Sequence, residues 1–163
     1  MKTSNVIVSQ YLAALEMLKE TIAQCPDAIW NDPSDKTKFW HIAYHALFFT
    51  HLYLQDTEED FTPWAKHREG IYSLDQAPSA PETVEPYDKD SVLEYLAICQ
   101  QQVAERVPQL DLEAASGFHW LPFGKLELQF LNIRHIQQHT GELMERLGTR
   151  ADLELPWVGM GPG

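Results

Sequence analysis

One stretch of sequence decides the fold class: residues 125–147, which read KLELQFLNIRHIQQHTGELMERL. Its apolar residues recur every three or four positions and include Leu128, Leu131, Ile136, Leu143 and Leu147. This spacing matches the period of about 3.6 residues of an amphipathic α-helix. Gly148 follows directly, and glycine is the residue that most often ends a helix. The stretch therefore predicts a helix over residues 125–147 that buries one face.

Three more segments have the same periodicity, over residues 5–24, 34–55 and 89–107. Pro26 and Pro108 end the first and third, and Ser34 is a suitable N-cap for the second. No segment alternates apolar and polar residues as a strand would. The pattern predicts an all-α protein, a four-helix bundle over residues 1–148 followed by an irregular tail over 149–163. We expect this tail to dock through Trp157.

The second and third predicted helices are separated by a long crossover loop, residues 56–89, which is rich in proline and aromatic residues. A loop of this length in a small domain is usually functional or packed by its own side chains. A short helix over residues 63–70 is consistent with the sequence. We expect Trp64 from this loop and Trp120 from the connection at 109–124 to line a cavity.

The chain has 163 residues, enough for one domain with an ordinary core. Its 12 basic and 24 acidic residues give a net charge of −12, which disfavours nucleic-acid binding but not binding of a cation. No apolar run predicts a membrane span or a signal peptide. Cys25 and Cys99 have no metal-binding spacing, so we expect both to be structural, reduced thiols in a cytoplasmic protein.

Two histidines, His135 and His139, lie four residues apart in the last predicted helix. Residues at this spacing share one helix face, and both flank the buried seam. Burial of two imidazoles without hydrogen-bond partners costs free energy, and a metal ion bound by both removes that cost. The alternative is a pair of ordinary hydrogen-bonded or surface histidines, since the chain has seven histidines in all.

His41 and His45 repeat the spacing in the second predicted helix. Apolar neighbours favour His45 as the third ligand. His41 is left as an outer-shell group, a fourth ligand or a surface residue. Glu142 is a second outer-shell candidate, although the spacing favours a solvated helical glutamate over that role. His51 falls on another face, solvated or bonded to the crossover loop. Three histidines suit a late first-row divalent ion and leave an open coordination position, as in catalytic sites.

These motifs resemble the DinB-like superfamily of metal-binding four-helix bundles. The resemblance covers residues 5–148 and is carried by WHIAYH at 40–45 and NIRHIQQHTGEL at 132–143. It implies that His45, His135 and His139 bind a divalent metal, often assigned in relatives as zinc or nickel. It also implies a homodimer, and in several relatives a transferase activity that uses a low-molecular-weight thiol.

The sequence as a whole favours a metal-dependent enzyme of the thiol S-transferase or hydrolase type that acts on a small-molecule substrate. We expect neither nucleic acid nor a membrane as a partner. The rival interpretation is a non-enzymatic scaffold, used in a stress response or for binding small molecules, with a structural or degenerate metal site. A metal-dependent turnover assay distinguishes the two.

Overall fold

A computed structural model describes residues 2–74 and 84–161. It contains five α-helices: α1 (Thr3–Gln24), α2 (Asp27–Trp30), α3 (Phe39–Tyr53), α4 (Lys89–Arg106) and α5 (Lys125–Ala151). A 3-10 turn over Val107–Gln109 follows α4. Within the described ranges no strand forms, and the one extended pairing is an isolated bridge between Ala115 and Gly124. The predicted all-α class is therefore confirmed.

The four long helices pack as a bundle in which α1 and α3 each contact both α4 and α5. Two contacts set the direction of α3 against α4: Arg106 Nε donates to the Leu54 carbonyl at 2.9 Å, and Cys99 Sγ lies 3.5 Å from the Leu47 carbonyl. The later residue of α4 contacts the later residue at the α3 end of the pair, so α3 and α4 run parallel. Helix α5 runs antiparallel to α3, because Asn132 donates to the Thr50 carbonyl whereas His135, later in α5, contacts His45, earlier in α3.

Helix α3 begins five residues later than the sequence predicts, and Ser34 is not its N-cap. The Ser34 amide and hydroxyl both donate to Asp32, at 2.8 and 2.7 Å, and form a turn. The Lys38 ammonium then donates to the carbonyls of Pro33 and Asp35. These side-chain bonds hold residues 32–38 as a loop, because serine and aspartate offer the backbone an alternative to helical bonds.

Helix α5 continues one turn past Gly148, where the sequence predicts its end. Asp152 is the residue that takes the left-handed conformation, with φ of 55°. The extra turn carries Arg150, whose guanidinium forms ion pairs with Asp32 and Asp35 in the loop before α3. Arg146, one turn earlier, also binds Asp35. These ion pairs stabilise the last turn, and cations at a helix C-terminus add to its stability.

The connection between α3 and α4 packs through aromatic rings, as its composition predicts. Trp64 stacks on Tyr95 of α4 with ring centroids 4.7 Å apart, and Tyr44 contacts Tyr87 at 4.8 Å. Residues 63–70 form turns rather than the short helix with which their sequence is consistent. The Arg68 guanidinium lies 3.8 Å from the centre of the Tyr87 ring. The described parts of the loop, residues 54–74 and 84–88, thus line the core of the bundle, and residues 75–83 lie outside the described residues.

The second connection is held by a buried lysine at the start of α5. Lys125 is 2% exposed, and its ammonium donates to the carbonyls of Gln55, Asp56 and Ser116. Three carbonyl acceptors satisfy all three N–H groups of an ammonium. Gly117 makes the approach possible, because a Cβ there would lie 1.8 Å from the Asp56 carbonyl oxygen. This contact fixes where α5 starts relative to α3.

The tail does not dock through Trp157, which is 74% exposed. It contacts α1 through its backbone instead: the Gly161 amide donates to the Ser9 carbonyl at 3.0 Å, and Gln10 donates to the Gly159 carbonyl. None of the helices that the structure describes has the length and apolar character needed to cross a membrane.

Candidate metal centre

Three histidine side chains converge between α3 and α5. His45 lies in the middle of α3, and His135 and His139 occupy successive turns of α5. The Nε2 atom of His135 lies 3.0 Å from that of His45 and 3.2 Å from that of His139. The ligand atoms of the three residues all lie within 4.8 Å of one another. The structure therefore brings together the three residues that the sequence and the resemblance single out.

Hydrogen bonds behind two of the rings decide which nitrogen carries the proton. His45 Nδ1 lies 2.7 Å from the Tyr72 carbonyl oxygen, and His139 Nδ1 lies 3.2 Å from Glu142 Oε2. A carbonyl and a carboxylate only accept hydrogen bonds, so both Nδ1 atoms are donors. Each neutral ring then presents the Nε2 lone pair to the centre of the cluster. This arrangement is the one found behind metal-bound histidines.

His135 is the histidine of the cluster whose hydrogen bonds are not all satisfied among the described residues. Its Nε2 faces the Nε2 lone pairs of both His45 and His139, and a single N–H can donate well to only one of them. Its Nδ1 is buried and has no hydrogen-bond partner among the described residues. A positive ion in the centre would accept all three lone pairs at once. The donor set fits a late first-row divalent ion, for which neutral imidazole is a good ligand.

The electrostatic surroundings keep His135 neutral. Burial, reinforced by the neighbouring His45 and His139, lowers its pKa to about 3. Phe49 packs one turn after His45 and contacts both rings, with centroids 4.9 Å from His45 and 5.6 Å from His135. His139 is only 6% exposed. Phe49 thus covers one side of the site, while His135 retains partial access to solvent.

His41 lies one turn before His45 but is not a member of the cluster. It is buried, its Nε2 lies 2.6 Å from the Ile71 carbonyl, and its ring stacks on Trp40. Burial lowers its pKa. Because Ile71 precedes Tyr72, whose carbonyl binds His45, His41 braces the loop that orients a candidate ligand. Of the three roles that we considered, the geometry corresponds to an outer-shell one.

Glu142 lies where an orienting carboxylate is needed. One of its oxygens accepts from His139 Nδ1, and the other lies 4.0 Å from Arg146. The carboxylate is half exposed, which leaves it in contact with water as well as with the imidazole. It therefore fixes the ring of His139 while its own negative charge stays hydrated.

The other histidines of α3 and the loop bond elsewhere. His51 is buried and contacts the Tyr95 hydroxyl at 3.2 Å, and burial lowers its pKa to about 4. His67 Nδ1 lies 2.6 Å from the Tyr44 hydroxyl. Trp64 lies in that same aromatic layer, and Trp120 lies beside Phe118 and His119 at the surface. In the described part of the chain, neither tryptophan ring contacts the three-histidine cluster.

The cysteines offer no nucleophile. Cys25 and Cys99 are both buried and both free. Burial raises the pKa of the Cys25 thiol to about 12 and raises that of Cys99 as well. A thiol with a raised pKa is a poor nucleophile at neutral pH. Neither cysteine is therefore a candidate catalytic nucleophile, and the histidine cluster remains the candidate reactive site.

Sequence reasoning missed two parts of the site. The Tyr72 carbonyl is a backbone group from the long connection, and no residue pattern marks a carbonyl that will bind a histidine 27 positions away. Phe49, in contrast, lies four residues after His45 and could have been predicted to cover it from helical spacing.

Comparisons with protein-family models, curated proteins and solved structures yield no match to this chain.

Proposed function

We propose that this protein binds one zinc or nickel ion through His45, His135 and His139 and is a metal-dependent enzyme. We propose a reaction of the thiol S-transferase or hydrolase type on a small-molecule substrate. The single observation that supports metal binding is the convergence of these three side chains, whose ligand atoms all lie within 4.8 Å of one another. Three histidines provide fewer ligands than a closed structural zinc site, which argues for an open position.

The proposal extends to the family and the architecture. We place the chain in the DinB-like superfamily, as a cytoplasmic, homodimeric, four-helix bundle with a crossover between the second and third long helices. The common direction of α3 and α4 supports a crossover, since neighbouring helices joined by a short loop would run antiparallel. The two histidine motifs support the family.

Each residue of the site has a role in this proposal. A bound divalent ion would supply Lewis acidity and lower the pKa of a coordinated thiol or water. His45 and His139 would be held in the correct tautomer by Tyr72 and Glu142. Phe49 would exclude water from the side of the cluster that faces α3.

The direct test is metal content of the full chain, purified without a histidine tag and loaded with zinc or nickel. We expect close to one ion per chain, bound tightly enough to survive desalting. The double variant His135→Ala, His139→Ala should lose it. His119→Ala is the matched control, because the His119 side chain is 83% exposed in a surface loop.

Wild-type metal content in the double variant would refute the site. Metal binding that supports no turnover with thiols or hydrolysable esters, in contrast, would favour a scaffold in which the ion is structural.

A further inference from the structure

An open surface cavity of about 620 Å³ adjoins the histidine cluster on the outer side of α5, and its lining residues in the described chain all belong to that helix. It is lined by Leu131, Arg134, His135, Gln137 and Gln138. His135 belongs both to this cavity and to the candidate metal centre, so a ligand in the cavity would lie beside the cluster. The lining combines one apolar side chain, two amides, one imidazole and one guanidinium, so it offers several hydrogen-bonding groups to a small polar ligand.

Arg134 is the unusual member of that lining. It is exposed, and within residues 2–74 and 84–161 it forms no hydrogen bond or ion pair. The chain has five arginines, and the other four all bind a carboxylate or a carbonyl. Their partners are Glu85 O for Arg68, Asp56 for Arg106, Asp35 for Arg146, and Asp32 with Asp35 for Arg150.

The free guanidinium is notable because acidic residues outnumber basic ones two to one in this chain. An arginine that keeps no acidic partner in such a protein, and that lies next to a histidine cluster, is available to an external anion. Guanidinium binds carboxylates through two parallel hydrogen bonds, which fixes orientation as well as charge. The Gln138 amide, one turn from Arg134, can add a further donor.

We propose that Arg134 binds a carboxylate of the substrate, so that the substrate class is a small organic acid held between this guanidinium and the metal centre. The inference rests on the proposed function, since it places the other end of the substrate at the metal. Arg134 is here a substrate-binding residue that determines specificity. Leu131 provides the apolar wall for the carbon chain between the two ends.

The test uses the full chain loaded with Co²⁺, whose near-ultraviolet thiolate band reports a thiol bound at the metal. The probes are mercaptoacetate, 3-mercaptopropionate and 4-mercaptobutyrate, each paired with its primary amide. Comparison of each acid with its amide isolates the carboxylate, and the three lengths sample the reach of Arg134. The variants are Arg134→Gln and Arg134→Lys. Lys36→Gln is the charge-matched control, since Lys36 is another exposed cation without a partner but lies in the loop before α3.

We expect one acid to bind the wild type more tightly than its amide. Arg134→Gln should lower the affinity for that acid about tenfold and change the affinity for its amide less than about twofold. This is the effect expected from loss of one charge-assisted interaction at an exposed site. Arg134→Lys should retain part of the preference, and Lys36→Gln all of it. Salt should weaken the acid but not the amide.

Two results would overturn the inference, and they differ from failure of the proposed function. With normal cobalt content, an unchanged acid preference in Arg134→Gln refutes the role of Arg134 alone. Equal weakening of acid and amide does the same, since it shows general damage to the cavity. Failure of the wild type to take up cobalt refutes the metal centre itself and the inference with it.

Discussion

The Nε2 atoms of His45 and His135 lie 3.0 Å apart, although 90 positions separate the two residues along the chain. Neither ring can reach the other unless α3 and α5 pack with these turns in register. The Asn132 side chain, which donates to the Thr50 carbonyl at 3.2 Å, sets that register near the middle of both helices. The buried Lys125 sets it again at one end. The histidine cluster is thus positioned by two polar contacts outside it.

Replacement of His45 by alanine should weaken metal binding far more than replacement of His41. His45 presents Nε2 to the cluster, whereas the His41 Nε2 is taken up by the Ile71 carbonyl. We expect the affinity to fall by more than about 100-fold in His45→Ala and by about tenfold in His41→Ala, the lower end of the range for outer-shell changes. Competition with a chromophoric chelator measures both. A larger loss in His41→Ala would mean that the ligand set is wrong.

Glu142→Gln should weaken metal binding by about tenfold without unfolding the protein. An amide still occupies the position but no longer carries the charge that makes the His139 ring a stronger ligand. Glu145→Gln is the control, because the Glu145 side chain is exposed on the same helix and bonds to no histidine. Identical affinities in the two variants would show that Glu142 is only a solvated carboxylate.

Much of this architecture follows from local sequence patterns. The period of apolar residues predicts where α1, α4 and α5 begin, within about two residues, because each buries a single stripe against the bundle. The paired histidines were predictable for the same reason: a spacing of four residues puts both on one face whatever the tertiary structure. The choice of His45 over His41 also needed only the apolar neighbours of the two residues.

The remainder depends on partners that are distant in sequence. Gly148 is a good helix terminator, but the ion pairs of Arg150 with Asp32 and Asp35 carry α5 beyond it. Lys125 looks like an ordinary first-turn residue until the carbonyls of Gln55 and Ser116 surround it. The Tyr72 carbonyl behind His45 has no sequence signal, since every residue has a carbonyl. Such contacts become visible only with the tertiary structure.

Lys125→Met should destabilise the fold by roughly 2–4 kcal/mol. The substitution leaves three carbonyl oxygens without their shared donor in a site that is almost closed to water. Lys66→Met is the control: Lys66 is 48% exposed and pairs with Glu94 at the surface, so its loss should cost about 1 kcal/mol or less. Urea titration measures both. Equal midpoints for the two variants would show that the buried ammonium contributes little net stability.

We expect a homodimer in solution, formed through exposed apolar residues of α1 and α5. Phe130 on α5 is 57% exposed and Val6 on α1 is 43% exposed, on two helices that pack against each other. Phe130→Asp should convert the dimer to a monomer while leaving helix content unchanged. Light scattering at micromolar concentration decides this. A monomeric wild type would refute the predicted dimer, and a dimeric Phe130→Asp variant would show that the interface does not include Phe130.

Acid should destabilise the protein through two buried histidines, His51 and the candidate ligand His135. The pKa of His135 is lowered to about 3 and that of His51 to about 4, both chiefly by burial. The unfolded value is about 6.5, so below that pH the unfolded chain binds more protons than the folded one. Stability should therefore be full above about pH 6.5 and fall below it, down to about pH 3 for the contribution of His135 and about pH 4 for that of His51. His51 alone accounts for a loss on the order of 3 kcal/mol across that interval.

Bound metal adds a second contribution that acid also removes, because protons compete for the same three nitrogen atoms. At pH 7.5 a free-ion concentration about 100 times Kd stabilises the fold by about 2.7 kcal/mol. A strong chelator should then lower Tm by roughly 5–10 °C in a chain of this size. At pH 5.5 the difference between loaded and stripped protein should shrink. The stripped protein should still melt cooperatively, since the apolar core of the bundle does not involve the metal. Equal Tm values for the loaded and stripped protein at pH 7.5 would mean that the three histidines hold no ion of consequence to the fold.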